Sequence, residues 1–287
     1  MFTRLSSMKA MTDMDTRDKS LALEAYISEL LKEDVAIAFS GGVDSTLLLS
    51  VCKEASLKHG TKVYAFTVHS DMHPLGDIGH ARKIAEDAGV VFSELSVDEL
   101  AEAGIRNNPP DRCYLCKHAL FSKIKDKASG KGIRNVIEGT NEDDLHVYRP
   151  GLRALKELGI LSPLAEFHVT KAEVRAMAAE RGLSVARRPS SPCMATRFPY
   201  GTELTYERMR RVDEVESWLR SQGFSNVRVR VHGDIARIET DSADLERILQ
   251  MRDAVISELK GRGFPYVTLD LEGFRSGSMD IHIKKQD

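Results

Sequence analysis

Val35-Ala36-Ile37-Ala38-Phe39-Ser40-Gly41-Gly42-Val43-Asp44-Ser45-Thr46-Leu47-Leu48-Leu49 decides the fold. An unbroken apolar run, a glycine pair and a leucine-rich stretch read as a buried strand, a tight loop and a helix. Two glycines let backbone N–H groups approach an anion closely. The helix start adds unpaired donors and the positive end of its dipole. Ser40 and Ser45 supply hydroxyl donors, and the amides of Gly41, Gly42 and Val43 complete a phosphate cradle. No Gly-Lys-Ser/Thr is present, so this is not a Walker A loop. Asp44 would repel phosphate unless a cation lay between them, so Mg²⁺ is expected there. The plainer alternative is a turn in which Ser or Asp caps the helix.

Outward from this loop, Val63 to Val68 and Val90 to Leu95 are further strand-like runs, and Asn135 to Glu138 is a short fourth one. Ile78 to Ala88 reads as a helix ended by Gly89. Buried runs separated by helices imply an α/β fold with a parallel sheet, whose ligands sit at the carboxyl ends of the strands. Pro189, Pro192, Pro199 and Gly201 make the stretch from Arg187 loop-like, so the domain boundary is placed near its end. The expected division is a flexible start over 1–19, a large domain over 20–200 and a smaller one over 201–287. In the latter, Met209, Val212, Val215, Trp218 and Leu219 share one face of a helix from Thr205 to Leu219. Val227, Val229 and Val231 alternate with Arg228, Arg230 and His232, giving a strand with an apolar and a basic face. A strand from Ile235 to Thr240, a helix from Ala243 to Lys260 and a strand from Tyr266 to Leu271 complete an α+β order.

The 287 residues suffice for one large domain or two ordinary ones, and 42% are hydrophobic. Lys plus Arg number 41 against 43 Asp plus Glu, a net charge of −2 that argues against a general nucleic-acid coat. No apolar run is long enough to span a membrane, and no secretory signal is visible, so a cytoplasmic protein is expected. Of the four cysteines, Cys52 lies in a helical pattern and reads as core. Cys113 and Cys116 form a C-x-x-C pair beside Arg112 and Lys117, and Cys193 follows Arg187 and Arg188 and precedes Arg197. Thiols so placed bind metals or act as nucleophiles. Four readings stand: zinc completed by His118, His146 or His168; a redox dithiol; an iron–sulfur cluster on three cysteines; or inert buried thiols. Arg228 and Arg230, two apart on a strand, project to one side and could clamp a phosphate; a solvated sheet face is the alternative. Thr196 and Arg197 could hold an anion beside Cys193, and Arg275 and Ser276 are weaker candidates.

The Ser40–Ser45 hexapeptide resembles the pyrophosphate loop of N-type ATP pyrophosphatases, and Gly139-Thr140-Asn141-Glu142-Asp143-Asp144 resembles their G-T-N-x-D-D segment. This likeness covers roughly 20–195 and implies an adenine nucleotide alpha-hydrolase-like domain, with Gly139, Thr140, Asn141 and Asp144 at the nucleotide. The segments from Asn108 to Lys117, Ser191 to Arg197, Arg228 to Glu239 and Gly273 to Met279 extend the resemblance along nearly the whole chain, to the LarE family. These are ATP-dependent sulfur transferases of nickel-pincer nucleotide synthesis. The resemblance implies ATP and Mg²⁺ as cofactors, adenylation of a carboxylate of pyridinium-3,5-biscarboxylic acid mononucleotide, and replacement of AMP by sulfur. It implies a hexamer. In the sacrificial version the cysteine matching Cys193 loses its own sulfur. Members with three cysteines resemble a subgroup binding a [4Fe-4S] cluster through positions matching Cys113, Cys116 and Cys193, supplied by sulfide or another sulfur donor. The rival readings are a tRNA thiolase, against which the charge and the 6% aromatic content weigh, and a non-catalytic nucleotide-binding redox or metal sensor.

Overall fold

The computed structural model describes residues 14–73, 77–187, 192–275 and 277–279. Two compact units are present. The first comprises Met1–His69, Gly76–Val97 and Cys113–Ser190; the second comprises Ser70–Leu75, Asp98–Arg112 and Ser191–Asp287. The division is therefore not one point in the chain, because two short segments ahead of residue 113 belong with the second unit.

The first unit is built on β1 (Val35–Ala38), β2 (Val63–His69), β3 (Val91–Ser96) and β4 (Asn135–Ile137), in the order β3-β2-β1-β4. All three pairings are parallel. Both faces are covered. Val35 and Ile37 join Leu23 and Ile27 of helix Thr16–Leu30, Leu47 and Val51 of helix Val43–His59, and Val174 and Met177 of helix Lys171–Glu180. Ala36, on the other face, packs with Phe66, Val136 and with Phe121, Ile124 and Ala128 of helix Arg112–Ser129. A strand buried on both sides cannot alternate polar and apolar residues, which is why β1 is an unbroken apolar run. The chain steps from β1 through β2 to β3 in one direction and then places β4 on the other side of β1. The segments leaving β1 and β4 thus meet at the carboxyl ends, where the sheet order reverses.

Helix Thr16–Leu30 begins inside the segment expected to be flexible through 19. Asp15 caps it by accepting from the Asp18 amide at 2.8 Å, and Lys19 is buried. Residues 1–13 lie outside the described residues.

The second unit packs helix Tyr206–Ser221 against a sheet of β5 (Val227–His232), β6 (Ile235–Thr240) and β7 (Tyr266–Leu269). β5 and β6 are antiparallel, and β6 and β7 parallel. Gly233, at φ +60°, opens the two-residue turn between β5 and β6, the position where a hairpin of this length needs the left-handed region. The helix expected from Ala243 to Lys260 is instead a 3₁₀ turn at Ser242–Asp244 followed by two helices, Leu245–Gln250 and Arg252–Gly261, that break at Met251. No glycine or proline marks that break, so local sequence could not give it. Asp213 and Glu216 are buried on the apolar face of helix Tyr206–Ser221, and β5 is buried on both faces. The arginines of β5 are not a solvated surface: Arg228 is 7% exposed and Arg230 5%.

Candidate active site

Gly41 adopts φ +69°, and a Cβ there would lie 3.0 Å from the Ala81 Cα. Conformation and space both demand glycine. Gly42 stands at the N-cap of helix Val43–His59 and no side chain caps it. Among the described residues neither Ser nor Asp caps this helix start, so its first-turn amides could serve another acceptor. Ser40 and Ser45 face each other, Oγ to Oγ at 3.2 Å; Ser40 also accepts from the Gly42 amide at 3.3 Å, and Ser45 donates to the Gly42 carbonyl at 3.3 Å. Val43 is 4% exposed and anchors the helix start in the core.

Across the sheet reversal, Gly139 lies directly against this loop. A Cβ at 139 would stand 2.9 Å from the Asp44 Cβ and 3.1 Å from the Ser45 nitrogen. Asn141 Nδ2 donates to Asp44 Oδ1 at 3.1 Å, while its buried Oδ1 has no partner among the described residues. Thr140 is held from its amide and hydroxyl by Glu138, both at 2.9 Å. Asp144 accepts from the Asn141 amide at 3.2 Å and pairs with Arg149 at 2.7 Å. The structure thus gathers Ser40, Asp44, Ser45, Gly139 and Asn141 into one floor, and assigns Thr140 and Asp144 to its framework. The close approach gives a direct expectation. Gly139→Ala should push the two segments apart, at a cost of about 1–3 kcal/mol of stability, and ATP-dependent activity should fall more steeply than thermal unfolding indicates. Wild-type activity in that variant would contradict this packing.

Sequence reasoning missed Lys171. Its Nζ lies 2.5 Å from Asp44 Oδ2, and its backbone amide donates to Asp143 at 2.7 Å. Thr170 and Glu173 form a capping box that starts helix Lys171–Glu180 and so fixes Lys171 in its first turn. That box is legible as Thr-Lys-Ala-Glu, but the pairing with Asp44, 127 residues away, is not. Lys171 adds the positive charge that the glycine loop, unlike a Walker A loop, does not carry itself.

Cys113 and Cys116 occupy the first turn of helix Arg112–Ser129, three residues apart and hence on one face. Cys113 is exposed and Cys116 half-buried. In the same unit Lys117 reaches Glu138 at 3.9 Å. Cys193 is half-buried in the second unit, and Cys52 is fully buried, with burial pushing its thiol pKa up. His146 and His168 both bond to Glu142, at 2.8 and 2.9 Å. Among the described residues, no group of three or more His, Cys, Asp or Glu is placed to hold a metal ion.

In the second unit, Cys193 caps the 3₁₀ turn Met194–Arg197. Arg197 is 1% exposed, and its guanidinium is engaged by Glu216 and nearby carbonyls. Nε and Nη2 form a fork on Glu216 at 2.9 and 2.8 Å, while Nη1 donates to the Pro192 carbonyl at 2.9 Å and the Cys193 carbonyl at 3.3 Å. Burial works against its charge, and Glu216 more than offsets that, so its pKa lies above the usual arginine value. Thr196 spends its hydroxyl on the Cys193 carbonyl at 2.8 Å. Arg230 pairs with buried Glu239 at 3.1 Å and donates to the Thr196 carbonyl at 2.8 Å. Arg228 lies over the Phe274 ring at 5.3 Å. Burial first, then the charge of Arg197, lower its pKa to about 10. An anion arriving at Arg228 would relieve that cost. Arg275 pairs with Asp270 and Glu272, and Ser276 lies outside the described residues.

Comparison with known proteins fits both halves. Residues 15–103 match the PP-loop domain family. The chain is 39% identical, over 93% of its length and 95% of the relative's, to the pyridinium-3,5-bisthiocarboxylic acid mononucleotide synthase of Lactiplantibacillus plantarum. The chain belongs to the LarE family. It is by that membership an ATP-dependent sulfurtransferase. An uncharacterized protein of Synechocystis is 38% identical over 92% of the chain and 97% of its own length. The tRNA-specific 2-thiouridylase MnmA of Desulfitobacterium hafniense is 26% identical over only 56% of this LarE-family chain. Among the described residues no helix is long and apolar enough to cross a membrane.

Proposed function

We propose that this LarE-family protein adenylates a carboxylate of pyridinium-3,5-biscarboxylic acid mononucleotide and then replaces AMP with sulfur, giving a thiocarboxylate for nickel-pincer nucleotide synthesis. The observation that carries the reading is the packing of Gly139 and Asn141 against Asp44, which joins the two segments expected at the nucleotide. The likeness to the mononucleotide synthase over nearly all of both chains supports the substrate.

In this reading the uncapped amides after Gly42, with Ser40 and Ser45, hold the polyphosphate and offset charge as pyrophosphate leaves. Asp44 would hold Mg²⁺, with the unpartnered Asn141 carbonyl oxygen a second hard donor of the kind that ion takes. Mg²⁺ supplies charge neutralisation at the phosphates. Lys171 exchanges its pairing with Asp44 for the incoming phosphate. A carboxylate oxygen attacks the α-phosphorus, pyrophosphate departs, and the acyl-adenylate is held for sulfur. Arg228 and Arg230 take the substrate phosphate. Both are buried on one strand, and Arg230 is held by Glu239 and the Thr196 carbonyl. By family likeness Cys113, Cys116 and Cys193 would be the soft thiols for a [4Fe-4S] cluster, which when bound would keep sulfide deprotonated. The protein works in the cytoplasm as a homo-oligomer, a hexamer by family likeness.

Pyrophosphate exchange into ATP tests the adenylation. Exchange should require Mg²⁺ and rise with the mononucleotide but not with tRNA. Stimulation by tRNA alone would favour the thiolase reading, for which the partial likeness to the 2-thiouridylase is the supporting observation. Nucleotide binding without exchange would favour the sensor.

A further inference from the structure

The Arg197–Glu216 pair is buried more completely than any other ion pair described here, at 1% and 0% side-chain exposure. Isolated, such a pair is a poor stabiliser, because desolvation consumes most of the attraction. Its connections say what else it does. From Arg197, one arm grips the Pro192 and Cys193 carbonyls. From Glu216, Oε1 also accepts the Val229 amide of β5 at 2.9 Å. Val229 stands between Arg228 and Arg230, in a strand that among the described residues pairs with β6 alone. A second, parallel link is the bond from Arg230 Nη1 to the Thr196 carbonyl. The Cys193 carbonyl also accepts from the Thr196 hydroxyl at 2.8 Å and the Thr196 amide at 3.1 Å, and the next amide, that of Met194, donates to the Met72 carbonyl at 2.8 Å. The turn that bears Cys193 is therefore tied on one side to the arginine strand and on the other to the segment beginning at Ser70.

We propose that Arg197, locked by Glu216, is a positioning residue that holds the Cys193 turn in register with the Arg228–Arg230 strand, so that sulfur delivery and substrate anchoring share one rigid frame. This rests on the sulfur-transfer reading above. The planar fork of Arg197 spans a carboxylate and two carbonyls at once, which a lysine ammonium cannot do. Reactions between positioned groups are sensitive to small displacements; adenylation needs the substrate anchored by the strand, but not the register between that strand and the Cys193 turn.

The test separates the two half-reactions in the full-length protein. Arg197→Met combined with Glu216→Gln removes the buried charges together, and Gln keeps an acceptor for the Val229 amide. Thermal unfolding should stay close to wild type, since exchanging both members of a buried pair for neutral ones is often tolerated. Mononucleotide-dependent pyrophosphate exchange should persist at saturating substrate. Thiocarboxylate formation should fall by roughly a hundredfold, the scale of an ångström's misplacement. Arg197→Lys, which keeps the charge, should give the same split and serves if the double variant does not fold. Wild-type sulfur transfer in a folded variant, or a parallel loss of exchange and transfer, would overturn the positioning role. Absence of exchange in the wild-type protein would instead overturn the underlying reading of function.

Discussion

Asp44→Ala is expected to reduce pyrophosphate exchange by about 10²–10³-fold, the range seen when one preorganised charge-stabilising group is lost. The carboxylate sits at the convergence of three elements: the loop after β1, the segment after β4 through Asn141, and helix Lys171–Glu180 through Lys171. Its side chain and that of Lys171 are both partly exposed, at 21% and 33%, so the ion pair contributes only about 0–1 kcal/mol to stability. Activity and folding should therefore separate, with the loss in exchange and no comparable shift in thermal unfolding. Asp44→Asn keeps the shape and an acceptor while removing the charge, and should be nearly as inactive if the charge recruits Mg²⁺. Exchange near the wild-type rate in either variant would contradict the role given to Asp44.

Cys193→Ala should abolish thiocarboxylate formation while leaving exchange in place, because the thiol belongs to the second unit and the loop to the first. This holds whether Cys193 gives up its own sulfur or serves as a cluster ligand. Cys113→Ala distinguishes the two. Under the cluster reading the variant loses iron after anaerobic reconstitution and loses sulfur transfer with it. Under the sacrificial reading it retains a single round of transfer. Anaerobic iron and sulfide analysis, with product counted per protein chain, checks both. Transfer by Cys193→Ala would place the sulfur-bearing group elsewhere.

What could be read in the sequence was what is local. The strand, glycine pair and helix around Ser40–Ser45 are contiguous, and their physical demands show in the residues themselves: an apolar run for a doubly covered strand, glycine where φ is positive. The Gly139 segment was readable for the same reason. Lys171 was not, because its meeting with Asp44 depends on the helix returning to the reversal point of the sheet. Arg197 shows the opposite limit. A cation near a reactive cysteine suggests an anion site, yet its partner Glu216 lies on a helix that pattern alone makes amphipathic, and charges on its buried face break that pattern. The alternation in β5 correctly put Arg228 and Arg230 on one side, but could not distinguish a wet face from a buried one. That depended on Phe274, Glu239 and the turn at Thr196 closing over it.

The most direct test of the central claim follows an atom. If a substrate carboxylate attacks ATP before sulfur replaces it, the oxygen lost from that carboxylate must leave in AMP. The mononucleotide, labelled with heavy oxygen in its carboxylates, would be incubated anaerobically with the protein, ATP, Mg²⁺ and sulfide. Mass spectrometry should find AMP carrying one labelled oxygen, and product in which one oxygen is replaced by sulfur. Unlabelled AMP, or ADP in its place, would contradict the account.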